Sequence, residues 1–103
     1  MQPIGPDVKA DLVLFFKTGV TDEQIYTFVQ ETIGNRAERG YDSLPGMRET
    51  LAVSVDGHPG YAIRFFPDAT EAQRNNVRSR IDSSPLVLKV FENVVPDDIK
   101  TLK

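Results

Sequence analysis

Residues 49–66 read ETLAVSVDGHPGYAIRFF, and they leave this chain few folds to choose from. Two runs rich in β-branched and aromatic residues flank Asp56-Gly57-His58-Pro59-Gly60. That pattern predicts a β-hairpin, with glycines available where φ must turn positive. Leu51, Val53 and Val55 alternate with Ala52, Ser54 and Asp56; Tyr61, Ile63 and Phe65 alternate with Ala62, Arg64 and Phe66. Each strand therefore has two distinct sides. An isolated hairpin is marginal in water, so the flanking segments must supply further strands or a helical cover.

Residues 9–17 supply one such strand. Leu12, Leu14 and Phe16 share one side, and Val13, Phe15 and Lys17 share the other, as in a central strand covered on both faces. A helix follows. Thr21 and Gln24 form a capping box, Val20 and Ile25 have hydrophobic-staple spacing, and Asp22 and Glu23 suit the positive end of the helix dipole. Ile25, Phe28, Val29 and Ile33 make its apolar stripe, and Gly34 or Asn35 ends it. The connection 35–48 holds Gly40, Pro45 and Gly46, and is expected to be an overhang of the helix followed by a turn. After the hairpin, Thr70 and Gln73 cap a second helix, which Asp82-Ser83-Ser84-Pro85 ends. A last strand covers about residues 86–93, and Pro96-Asp97-Asp98 stops it.

The order is β-α-β-β-α-β. It predicts one α+β domain over residues 1–103, a ferredoxin-like sandwich. Its four-stranded antiparallel sheet has the order 4-1-3-2, with both helices on one face. Residues 1–7 and 97–103 are expected to be flexible ends. Strict alternation places Leu12, Leu14, Phe16, Leu51, Val53, Val55, Ile63 and Phe65 under the helices, with Leu86, Leu88 and Val90. The other face then carries Val13, Phe15, Phe66, Val87 and Phe91, with Arg64 and Lys89 among them. An open sheet face is normally polar, so an apolar one marks an interaction surface. The expected partner is a second copy in a two-fold dimer; the competing expectation is cover by the 35–48 loop or the C-terminal tail.

Chemistry is sparse. The chain has no cysteine and one histidine, His58, placed in the hairpin turn and expected to be solvated. No phosphate-binding, dinucleotide-binding or nucleophile-elbow motif occurs, and no nucleophile or base has an evident orienting partner. The expectation is a non-enzyme without metal or cofactor. Residues Phe16, Phe28 and Tyr41 are the candidates for a small-ligand pocket between the first helix and the sheet. A net charge of −3 weighs against nucleic acid as a partner. The segment from Pro59 to Phe65 matches the RNA-recognition strand motif at Gly60, Tyr61 and Ala62, but lacks its basic first residue and has Ile63 where the second stacking aromatic belongs. The longest apolar run, residues 12–16, is too short to cross a bilayer, and the N-terminus has no signal-peptide pattern. A cytoplasmic location is the resulting expectation.

Two segments resemble known families. LFFKTGVTDEQI (residues 14–25), followed by Leu44-Pro45-Gly46, resembles the start of stress-responsive dimeric α/β-barrel domains. That resemblance implies sheets paired face to face and, in some members, small ligands. The strand 1 histidine of its catalytic members has no counterpart here, where Ala10 and Asp11 stand. The second half, with Ser84-Pro85, Val87 and Val90-Phe91-Glu92, resembles subtilisin-propeptide-like peptidase inhibitor domains. It implies a protease partner, bound by the sheet and by a tail beginning at Asn93. Both resemblances imply protein contact through the sheet.

Overall fold

The computed structural model describes residues 7–32 and 46–102. Strand β1 (Ala10–Phe16) leads to helix α1 (Asp22–Thr32). Strands β2 (Met47–Val55) and β3 (His58–Phe65) form the hairpin. Helix α2 (Glu71–Asp82), strand β4 (Val87–Val94) and a 3-10 turn (Pro96–Asp98) complete the described chain. The fold is α+β. Among the described residues, the antiparallel strands are hydrogen-bonded in the order β2-β3-β1-β4.

Both helices start as their capping sequences dictate. The Gln24 amide donates to Thr21 Oγ1 at 3.1 Å, and the Thr21 amide donates to Gln24 Oε1 at 2.9 Å. Thr70 and Gln73 repeat the arrangement at α2, at 3.0 and 3.1 Å. Two orphan amides at each helix start are thus satisfied reciprocally. The hairpin turn is tighter than five residues. Val55 pairs with His58, so only Asp56 and Gly57 bridge the strands, with φ of 54° and 79°. Asp-Gly is the sequence such a two-residue turn prefers.

Leu12, Leu14 and Phe16 of β1 pack with Ile63 and Phe65 of β3, Phe28 of α1, and Val77 and Ile81 of α2. Both helices therefore cover the same side of the sheet. Strict alternation fails at two places. Arg48 is an extra residue where Met47 pairs with Phe65 and Glu49 with Arg64. Leu88 is extra where Phe15 pairs with Lys89 and Phe16 with Val87. A bulge of one residue reverses which side each later residue faces. Leu51, Val53 and Val55, expected beneath the helices, pack on the other side because the two-residue turn sets them opposite Ala62, Gly60 and His58 rather than opposite Phe65, Ile63 and Tyr61. Val87, expected on the helix-free side, packs with the helix-side core, and Leu88, expected inside, is 45% exposed.

No helix among the described residues is long and apolar enough to cross a membrane. The connection 35–48 lies, except for its last three residues, outside the described residues, as do Tyr41 and the first six residues.

Candidate interaction face

The helix-free side of the sheet has its own apolar cluster. Ala10, Val13, Phe15 and Ala62 are buried there together with Ile99 from the tail. Leu51, Val53, Val55, Phe91, Val94 and Leu102 pack against them, half-buried. The Phe15 and Phe91 rings meet edge to face at 6.0 Å, and Lys89 Nζ lies 5.1 Å from the Phe91 centroid. Phe15 needs a glycine beneath it. A Cβ on Gly60, its partner on β3, would sit 2.1 Å from the Leu14 carbonyl oxygen and 2.8 Å from the Phe15 ring.

This side is not open. Val13 and Phe15, expected at an exposed interaction surface, are both 0% exposed because the tail folds back over them. The chain turns at Pro96, where Asp98 and Ile99 amides donate to the Val95 and Pro96 carbonyls. That turn sends Ile99, from the tail expected to be a flexible end, into the cluster at 8% exposure. Leu102 follows three residues later, and its amide donates to Asp56 Oδ2 at 3.2 Å. The same hairpin aspartate thus supplies the turn and receives the strap. Burying a side chain the size of Ile99 is worth roughly 1.5–3 kcal/mol. An open depression of about 330 Å³ lies between the strap and Ala52–Val55 of β2.

The other expected face residues are dispersed. Val87 belongs to the opposite core, and Phe66 lies beyond the end of β3, 44% exposed. Arg64 is half-buried, and its Nη1 is buried with no hydrogen-bond partner among the described residues. Lys89 and Phe91 do sit together at the β4 margin. What brings Val13, Phe15 and Phe91 together is visible in alternation; the part played by Ile99 and Leu102 is not. Its only signal is a pair of apolar residues three apart in an otherwise polar tail.

Two of the three residues expected to line a ligand pocket lie in the helix-side core. Phe16 and Phe28 are buried and meet edge to face at 5.1 Å, with Tyr61 against Phe16 at 6.2 Å. Tyr41 lies outside the described residues. A cleft of about 660 Å³ opens beside Phe28, between the first turns of α1 and the end of α2. Gln24, Thr27, Arg80 and Pro85 are among its walls. Two of its polar groups already serve the backbone: Ser83 Oγ donates to the Ser79 carbonyl, and Ser84 Oγ accepts from the Leu86 amide.

The polar side chains that do converge hold the fold. His58, expected to be solvated, is half-buried, and its Nδ1–H donates to the Phe16 carbonyl at 2.8 Å. Extending the register places Pro59 opposite Phe16, and proline has no N–H to offer, so the imidazole supplies the missing donor. Asp11 accepts the Phe65 amide at 2.8 Å and faces Arg74 at 3.5 Å. Arg74 also donates to the Phe66 and Ala69 carbonyls and lies over the Phe65 ring. Together they clamp the connection from β3 to α2. Arg78 pairs with Asp82 and Glu92. Its pKa is raised, first by the hydrogen bond to Asp82, against a smaller opposing effect of burial. Among the described residues, no three of His, Asp or Glu gather closely enough to hold a metal ion.

Compared with models of protein families, with curated proteins and with solved structures, the chain matches none. The resemblances of its two halves to known families therefore rest on the short motifs alone.

Proposed function

We propose that this chain is a ferredoxin-like, non-catalytic domain that works by protein–protein contact through the helix-free side of its sheet, with a second copy of itself as partner. The observation that carries the reading is the second apolar cluster. A sheet layer with helices on one side needs apolar residues on that side only, yet here the half-buried Leu51, Val53, Val55 and Phe91 line the other, around the buried Val13 and Phe15. The cover they receive is a short strap rather than a second layer of helix or sheet.

Sedimentation velocity over a concentration series from low to high micromolar tests it. The expected result is a reversible monomer–dimer equilibrium, weakened at least tenfold by Phe91→Asp. A strict monomer at the top of the series overturns it.

The cleft beside Phe28 favours a second reading, a small-ligand binder, since its volume is in the range of ligand pockets. A ligand held there raises the melting temperature by mass action, so a thermal-shift screen decides it. The peptidase-inhibitor reading needs the tail free to enter a protease cleft, whereas Ile99 and Leu102 are engaged on the sheet. Absence of inhibition across a panel of subtilisin-like proteases would remove it.

A further inference from the structure

We propose that the groove on the helix-free side accepts the tail of a second copy, so that two chains associate by exchanging residues 95–102. The inference rests on the association reading and adds to it the surface and the occupant.

The structure already holds one occupant of that chemistry. Pro96 and Ile99 are buried, Leu102 is half-buried, and the strap's far end is tied to the hairpin by the bond from its amide to Asp56. A groove that takes this segment from its own chain offers the same contacts to the same segment of another. Domain exchange of this kind needs no new interface chemistry.

Three further features fit exchange. The strap leaves β4 through a short connector, Val95, with the chain-turning Pro96 next to it. Extended, eight residues span about 26 Å, enough to leave one small domain and lie on another packed beside it. An open depression of about 330 Å³ also lies beside the strap, against β2.

The test uses the full chain with Ile99→Asp and Leu102→Asp, which empties the groove and disables the donor. It is titrated with a fluorescein-labelled peptide of residues 95–103, VPDDIKTLK. Saturable binding in the micromolar range is expected, and the peptide carrying both aspartates should bind at least tenfold more weakly. The wild-type chain should bind the peptide more weakly than the variant, because its own tail competes at high local concentration. Circular dichroism reports whether the double variant is folded. If it is not, Leu102→Asp alone serves as the acceptor; Ile99 then still competes, so its affinity for the peptide should exceed that of the wild-type chain by a smaller factor, and the peptide carrying both aspartates should again bind more weakly. A folded acceptor that ignores the peptide at millimolar concentration overturns the exchange. Sedimentation of the wild-type chain reports association separately. A dimer that forms although the peptide does not bind sinks the exchange and leaves the association standing; a strict wild-type monomer sinks both.

Discussion

The two sides of the sheet are built from similar residues and closed by unlike means. On one side, Leu12, Leu14, Phe16 and Ile63 lie under α1 and α2, each of which begins with a reciprocal capping box. On the other, Ala10, Val13, Phe15 and Ala62 lie under a strap anchored by Ile99 and Leu102. A helix brings its own backbone hydrogen bonds and a wide apolar stripe. A strap brings a few side chains and must satisfy its backbone groups elsewhere. The helix side is therefore expected to open only with the whole fold, and the strap side by local release.

Adjacent phenylalanines make the sharpest comparison. Phe15 and Phe16 are both 0% exposed and point to opposite sides of β1. Phe16→Ala should destabilise the chain by about 4 kcal/mol, because two helices and the sheet hold the cavity open. Phe15→Ala should cost about 3 kcal/mol, since a strap can settle into the space. Equal losses in urea denaturation would show that the strap side is as rigid as the helix side. A loss at Phe15 below about 1 kcal/mol would show that it hardly counts as core.

Gly60→Ala probes the same side from beneath. The added methyl meets the Leu14 carbonyl and the Phe15 ring, so β1 and β3 must part or the ring must leave. A loss of about 2 kcal/mol is expected, in the range of overpacked cores. Ile99→Ala should cost a similar amount or slightly less, about 2 kcal/mol, for a buried anchor at the margin. Hydrogen exchange separates these two. Ile99→Ala should speed exchange at the Leu102 amide, whose acceptor is Asp56, and leave the β1–β3 ladder protected. Equal acceleration in the ladder would mean that strap and sheet open together.

How much of this could be read from the residues divides along the same line. Helix starts were legible because a capping box is local: Thr21 with Gln24, and Thr70 with Gln73, span three residues each. The hairpin was legible because Asp-Gly turns are local too, although Pro59 and Gly60 looked like turn residues and belong to β3. The sides of β2 were not legible, nor were those of Val87 and Leu88 in β4. A turn of two residues instead of five shifts β2 against β3 by an odd number and inverts its sides, and the extra residue Leu88 puts Val87 on the side opposite to strict alternation; nothing in their neighbours announces either. The apolar face was half legible: Val13, Phe15 and Phe91 were placed on it, but Val87 was not, and the strap that buries it depends on contacts between residues some forty to ninety apart in the chain. His58 misled for a related reason, since its partner, the Phe16 carbonyl, is 42 residues away.

The smallest expected effects test whether the two sides are energetically separate. Thr70→Ala removes the hydroxyl that accepts the Gln73 amide, and Thr21→Ala removes its counterpart at α1. Each should cost about 1 kcal/mol, the usual worth of such a cap. Both changes weaken only the helix layer, so affinity for the tail peptide, measured on chains that also carry Leu102→Asp, should stay within twofold. Cap and groove lie on opposite faces with β1 and β3 between them, and changes at sites without shared partners add to within about half a kcal/mol. A cap variant that shifts peptide affinity tenfold would mean that the sheet transmits the state of its helices to the strap, and the two faces would have to be treated as one cooperative unit.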